Sequence, residues 1–428
     1  MIKMKDSGYS YIGNIPENWE VTRNKNVFSC TKELVGNKSN STQLLSLTTK
    51  GVKEKDINNP EGKLPESFDT YQYVNTNDIV MCLFDLDVSA VFSGISPFDG
   101  MISPAYRVLT CKKNIVPKFA DYWFKYISDG RKFNHYAKNI RYTLNYEDFS
   151  SLPIVFPPLE TQHRIADYLD EKCAKIDAII EKQQAVIEKL KEYKLSVITE
   201  AVTKGLNPDV VMKDSCIEWI GDIPAHWDVI NIGKTTTKVG SGKTPSGGAE
   251  TYTNKGILFL RSQNVYDTGL VLDEPTYISE ETDEDMKNTR VLPYDVLLNI
   301  TGGSIGRCCV FYPEFGRANV NQHVSIIRVK KDLVIPQYMH YYWISNLGHT
   351  AIALYQTGGN REGMSADAIK KSPITLPPIS EQSVIASFLD KKCSEIDKIT
   401  KQKQSIIDKI LSYKKSLIYE VVTGKKEV

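Results

Sequence analysis

PIVFPPLETQHRIADYLDEKCAKIDAII, residues 153–180, returns as PITLPPISEQSVIASFLDKKCSEIDKIT, residues 373–400, without a gap and with half of its positions identical. The offset is 220 residues in a chain of 428, so the repeating unit is half the chain rather than a short solenoid repeat. A second pair flanks it: DSGYSYIGNIPENWEV from Asp6 and DSCIEWIGDIPAHWDV from Asp214. Each half therefore runs in one order: an IP-x-x-W opening motif, a long divergent region, a Pro-Pro pair and a helical segment. The pattern is a duplicated domain-plus-helix unit.

Working outward from the repeat, the stretch from Glu160 to about Thr203 holds no Pro or Gly, and Ile165, Leu169, Ile176, Ile179, Ile180, Ile187, Leu190, Tyr193 and Val197 recur at helical spacing. This predicts one helix of roughly 40 residues, about 60 Å long at 1.5 Å per residue. The second copy repeats it with Ile385, Leu389, Ile396, Ile399, Ile406, Ile407, Ile410, Tyr413 and Leu417. Leu169, Ile176, Ile179, Val186, Leu190, Tyr193 and Val197 follow a 3.5-residue seam, interrupted by Lys172 and Gln183, so the two helices are expected to pair as a coiled coil. Pro157-Pro158 and Pro377-Pro378 set the helix starts, with Thr161 and Ser380 as candidate N-caps, and Gly205 and Gly424 mark the ends.

The divergent regions mix short strand-like runs with turns. QLLSL, DIVMCLF and AYRVLTC in the first and ILFLRS, DVLLNIT and HVSIIRV in the second read as strands. They follow one order, and IVPKFADYWFKYIS then matches VIPQYMHYYWISN. The aromatic runs Tyr122-Trp123-Phe124 and Tyr341-Tyr342-Trp343 read as helix core rather than base-stacking platforms. The expected fold class is α+β: two homologous mixed domains joined by two long paired helices. The expected boundaries are 1–157 for the first mixed domain, 158–205 for its helix and 206–213 for a linker. Residues 214–377 would form the second domain, and 378–428 the second helix with a basic tail.

Composition narrows the function classes. There is no apolar run of about 18 residues to cross a membrane and no apolar segment after the basic start MIKMK, so a cytoplasmic protein is expected. None of the eight cysteines forms a C-x-x-C pair, and Cys308-Cys309 are adjacent, which suits neither a disulfide framework nor zinc. VGSGKT at 239–244 resembles a phosphate loop, but Thr237 stands where its first Gly is required. FPPLE and LPPIS resemble the Pro-Pro motif of amino-methyltransferases, but Phe156 and Leu376 offer nothing to hold an exocyclic amine. The six histidines show no metal-ligand spacing. A formal charge of +1 argues against a wholly basic surface but allows basic loops on an acidic body.

What remains is polar loop chemistry. In the second half Lys243, Arg261-Ser262-Gln263-Asn264, the TGGSIGR loop with Ser304 and Arg307, Asn319-Val320-Asn321-Gln322-His323, and Asn360-Arg361 adjoin strand or helix ends. Arg can fork onto guanine O6 and N7, Asn or Gln onto adenine N6 and N7, and Lys, Ser and Thr can anchor phosphates. At the matching places the first half carries Thr48, Lys50, Tyr106, Arg141 and Tyr142. Arg141 and Arg361 lie 220 positions apart, which suits a backbone-phosphate or structural role in both copies. A shared scaffold with different loops is the pattern of two related readers tuned to different ligands.

The chain resembles the specificity subunits of type I restriction–modification systems. The resemblance covers nearly the whole length, most specifically in FPPLETQHRIADYLD and LPPISEQSVIASFLD. It implies two target recognition domains, each reading half of a split asymmetric site in double-stranded DNA, and two antiparallel helices acting as a spacer. It also implies docking of two methyltransferase subunits, which recruit restriction/translocase subunits. S-adenosylmethionine, ATP and Mg2+ would then belong to those partners and no cofactor to this chain, which would itself be non-catalytic. Two other readings stay open at this point: a coiled-coil scaffold whose divergent domains bind proteins, and a specificity chain serving a methyltransferase alone.

Overall fold

The computed structural model describes residues 3–49, 51–56, 65–86, 92–137, 142–356 and 363–428. Two helices dominate it, Leu159–Lys204 with 46 residues and Ile379–Val422 with 44. Each begins directly after its second proline. The Pro158 carbonyl accepts the Gln162 N–H, and the Pro378 carbonyl accepts the Gln382 N–H, both at 3.0 Å. Thr161 and Ser380, expected as caps, lie inside the first turn instead. The prolines already supply the helical φ and have no N–H to satisfy, so no side-chain cap is needed there.

The chain divides into two compact units that cut across both helices. Unit 1 is Met1–Gln184 with Ser405–Val428, and unit 2 is Ala185–Gln404. The core of unit 1 therefore joins Ile165, Ala166, Leu169, Cys173 and Ile176 of the first helix to Leu417, Ile418, Val421 and Val422 of the second. In unit 2, Ile198, Ala201 and Val202 meet Ile385, Ala386, Leu389 and Cys393. Within each unit the segments run antiparallel. In unit 1, Asp177 is bonded to Lys414 at 2.6 Å and the Lys426 ammonium lies 5.9 Å from the Tyr168 ring centre. In unit 2, Lys194 is paired with Asp397 at 2.7 Å, and an added Cβ at Gly205 would lie 3.1 Å from Glu381.

The buried stripe departs from the expected 3.5-residue seam. From Ile165 through Leu169, Cys173, Ile176, Ile180, Gln183, Ile187, Leu190, Lys194 and Ile198 to Ala201, ten steps cover 36 residues, all of them buried or half-buried. That is 3.6 residues per turn, the period of a straight helix, so the stripe needs no supercoil. Ile179, Val186 and Tyr193, placed on the seam by the heptad reading, are instead exposed.

Both copies of the opening motif do one job. Trp19 and Trp227 are buried, and each packs on the glycine that ends a long helix: Gly424 in unit 1 and Gly205 in unit 2. Both glycines have left-handed φ, +72° and +75°, which a side chain would strain. A Cβ on Gly424 would also come within 2.4 Å of Pro16. After each tryptophan a strand pairs antiparallel with the strand leading to the Pro-Pro step, Glu20–Arg23 with Pro153–Phe156 and Asp228–Asn231 with Pro373–Leu376.

The glutamine of the Pro-Pro motif is a buried clip repeated in both units. Gln162 accepts the Val116 N–H at 2.8 Å and donates to the Asn114 and Pro157 carbonyls. Gln382 accepts the Ile335 N–H at 3.0 Å and donates to Leu333 and Pro377. Its replacement by Ala strands one buried donor and two acceptors, so Gln382→Ala is expected to cost about 3 kcal/mol and lower the melting temperature of unit 2 by roughly 5–10 °C. Calorimetry checks this; an unchanged melting curve would remove the clip.

The divergent regions share a sheet. In unit 1 the order is Phe28–Ser29, Arg107–Cys111, Ile79–Met81, Ser93–Ile95; in unit 2 it is Thr236–Ser241, Val324–Val329, Val296–Asn299, Cys308–Val310. Unit 2 adds a second four-stranded sheet in which Ile257–Leu260 runs parallel to Ala318–Val320. The aromatic runs are core, as expected: Tyr122, Trp123, Phe124, Tyr341, Tyr342 and Trp343 are all buried. Their helices are pinned to the long ones through Tyr122 to Asp170 at 2.8 Å and Tyr341 to Asp390 at 2.6 Å.

Candidate nucleic-acid interface

In unit 2 the two sheets end on a common edge, because Ser241, Leu260, Asn299 and Val320 are all C-terminal strand residues and Val324 opens the strand antiparallel to Asn299. The loops that leave this edge are stitched together by their backbones. Gly242 N–H donates to Val324, Lys243 to Val320, Asn321 to Leu260, Ile300 to His323 and Met364 to Ile300, at 2.9–3.2 Å. Gly242 has a steric reason: a Cβ there would fall 2.0 Å from the Val320 carbonyl oxygen. The first half of the VGSGKT stretch is thus strand, ending at Ser241, and its second glycine serves close packing of two chain segments.

The structure sorts the expected residues of this edge. Lys243, Gln263 and Gln322 are exposed, and Arg261, Ser304, Arg307 and His323 are half-buried, all on the stitched loops. His323 Nδ1 is 2.6 Å from the Thr301 hydroxyl, tying the 301–307 loop to the 321–323 turn. Asn321 turns its Oδ1 to the His323 N–H. Asn264 and Asn319 leave the reading set. Asn264 is buried, accepting the Arg261 N–H and donating to the Val271 carbonyl. Asn319 is fully buried and bonded to Asp283, Met286 and Thr289, beneath the edge rather than on it. Asn360 and Arg361 lie outside the described residues.

Two residues of this edge were not legible as site residues. Tyr252 lies under the Arg261 guanidinium at 5.9 Å, and Tyr266 under that of Arg307 at 4.5 Å. The only sequence signal for Tyr266 is the Asp267-Thr268-Gly269 turn, which closes the hairpin Val265–Tyr266 with Gly269–Leu270.

Unit 1 presents a different inventory on the same sheet order. Tyr106 packs 5.9 Å from Phe84, and burial pushes its phenol pKa upward. Tyr142 is exposed, with a left-handed φ of +44°, and its carbonyl accepts the Leu86 N–H. Thr48 sits at a hairpin tip, where its hydroxyl donates to the Gly51 carbonyl at 2.8 Å. Tyr106 and Tyr142 therefore each contact the 84–86 segment, Tyr106 through the Phe84 ring and Tyr142 through its carbonyl on Leu86, whereas Thr48 closes a separate turn. Lys50 and Arg141 lie outside the described residues.

Among the described residues no group of His, Cys, Asp or Glu could hold a metal ion, and no helix is long and apolar enough to cross a membrane. Desolvation pushes the imidazole of half-buried His340 down to about 4, which keeps it neutral near pH 7.

Two mixed domains with one strand order, two long antiparallel helices and unlike polar loop edges define a paired recognition scaffold. The description "Type I restriction modification DNA specificity domain" matches residues 16–189 and 224–408, and the chain belongs to that family. It is 23% identical over 411 residues to a putative type I restriction enzyme MjaX specificity subunit of Methanocaldococcus jannaschii, covering 92% of this chain and 90% of the relative. It is 25% identical over 253 residues to the type I restriction enzyme EcoBI specificity subunit of Escherichia coli, where the match spans 52% of the relative's length. A chain solved in work on complex assembly and conformational transition of the type I R-M system shares the fold at a TM-score of 0.72 and 13% identity, over 96% of this chain and 99% of that one.

Proposed function

We propose that this chain is the DNA-reading subunit of a type I restriction–modification system, each unit reading one half of a bipartite asymmetric site. The observation that carries this is the loop edge of unit 2, where Lys243, Arg261 and Arg307 form no direct ion pair among the described residues, set against a different edge on the same sheet order in unit 1. Cations left unpaired on stitched loops suit phosphate and base-edge acceptors. The chain works in the cytoplasm and is itself non-catalytic. Adenine methylation with S-adenosylmethionine, and ATP- and Mg2+-dependent translocation and cleavage, belong to its partners.

Partner docking has its own support. Ile179, Ile406 and Tyr413 on unit 1, and Ile399, Val186 and Tyr193 on unit 2, are 39–56% exposed. Residue by residue the two sets are related by the 220-residue offset, so the protein carries one apolar patch twice. Two equivalent patches call for two copies of one partner, which fits two methyltransferase subunits that in turn bind the restriction/translocase subunits.

The test is a gel shift of the chain with its methyltransferase, scored against the methylated motif in genomic DNA. A sequence-specific band on a split motif is expected. A band indifferent to sequence would leave a protein-binding scaffold, and a complex that methylates without ever cleaving would leave a methyltransferase-only system. The helices supply a further prediction. Four residues added after Gln184 and, at the matched place, after Gln404 lengthen both by about 6 Å and are expected to widen the unread spacer by one to two base pairs. An unchanged spacer in the methylome of that variant would refute the spacer role.

A further inference from the structure

Five arginines of unit 2 fall into two classes. Arg290, Arg317 and Arg328 direct their guanidinium groups onto carboxylates: Arg290 onto Asp283 and Glu284, Arg317 onto Glu280 and Asp283, Arg328 onto Asp295. Arg261 and Arg307 form no ion pair among the described residues, and each lies on the face of a tyrosine. A ring beneath a guanidinium restricts its plane without using its N–H groups; in Arg261 the Nε is buried without a partner, so its terminal nitrogens are the ones left to a ligand. Phosphate needs only a positive charge with donors, as exposed Lys243 provides. A fork held in one plane is what in-plane recognition of a base edge requires.

The two arginine-bearing loops are held by one buried residue. Asn299 is fully buried at the end of its strand; its backbone N–H donates to the Arg307 carbonyl and its carbonyl accepts the Gly306 N–H, at 2.8 and 2.9 Å. Its side-chain amide donates to the Ser262 carbonyl at 2.8 Å, next to Arg261. Tyr266 is fixed in turn, since Asp267 of the same hairpin accepts the Cys308 N–H at 3.1 Å, beside Arg307. The backbones that carry both arginines are thus held before any ligand arrives, which lowers the ordering cost of binding.

Resting on the DNA-reading function above, we propose that Arg261 and Arg307 each read a guanine through O6 and N7 in the half-site of unit 2, with Tyr252, Tyr266 and Asn299 as positioning residues. The half-site of unit 2 then contains two G·C pairs that the protein specifies directly. Arg261 and Arg307 are half-exposed and unpaired, so their replacement by Lys leaves the fold intact and keeps the charge.

The experiment expresses the full chain with its methyltransferase and reads both the methylated motif and binding to motif variants. Arg307→Lys and Arg261→Lys are each expected to relax one G·C position in one half-site, with a roughly 5- to 150-fold loss of discrimination there. The other half-site and non-specific affinity stay as they were. Tyr266→Phe keeps the motif, while Tyr266→Leu relaxes the same position as Arg307→Lys. A uniform loss of binding to every sequence with the motif unchanged would make both arginines phosphate contacts and overturn the proposal alone, as would a unit 2 half-site without G·C pairs. If the unaltered complex had no sequence preference, the DNA-reading function would fall and the guanine assignment with it.

Discussion

A chain ending at Gln404 is expected to lose the fold of its N-terminal unit while its C-terminal unit survives. Leu417, Ile418, Val421 and Val422 are buried in the core of unit 1, although they lie at the far end of the sequence. At about 1.5–3 kcal/mol for each buried aliphatic side chain, their removal withdraws roughly 6–12 kcal/mol. A whole domain has a net stability of about 5–15 kcal/mol, so little or none is left. The truncation also removes the Lys414–Asp177 ion pair, the Tyr419 ring stacked on Tyr126 at 5.2 Å, and Gly424 beneath Trp19. Unit 2 contains no residue beyond Gln404. Hydrogen exchange read by mass spectrometry should show protection lost across residues 3–156 and kept across 214–377. Protection retained in the N-terminal segment would show that unit 1 folds without the second helix.

Exchanging Ile223 to Thr375 for the matching segment of a relative with a different target should replace one half of the recognised site and leave the other half unaltered. The two ends of the segment are neighbours, since Val229 pairs with Thr375 in the strand ribbon next to Trp227. The exchange therefore joins the retained chain at one place, and the new segment seats on the long helices where Tyr341 meets Asp390 and Ile335 meets Gln382. Gly205 and Gln382 stay in place and offer the same packing surface and clip that Gly424 and Gln162 offer in unit 1, so a related segment carrying its own tryptophan finds the frame it was built on. Unit 1 contains no residue of the exchanged segment. Methylome sequencing of the hybrid decides it: both half-sites changed, or neither, would contradict the division of labour between the units.

The architecture was legible because it is written twice. Identical Pro-Pro steps, tryptophans and glutamines at fixed offsets mark elements that solve the same packing problem in both halves, and helical spacing through a Pro- and Gly-free stretch is a local signal. The phase of the helix pairing was less legible. A 3.5-residue seam and a 3.6-residue stripe share residues such as Leu169 and Ile176 over two turns and then diverge, at Ile179 against Ile180, Val186 against Ile187 and Tyr193 against Lys194. Loop chemistry was legible as an inventory but not as a site. Asn319 and Asn321 are two positions apart and chemically identical, yet one lies in a buried strand against Asp283 and the other turns at the edge.

The amino-acid sequence by itself determined the duplication, the two long helices, the common order of strands and the contrast between faithful and divergent segments, because each rests on spacing along one chain. Only the tertiary structure decided which helix end completes which unit, which arginines form no direct ion pair among the described residues and which tyrosines back them. Those outcomes depend on contacts between residues far apart in sequence, such as Trp19 with Gly424, whose partners no local pattern can name.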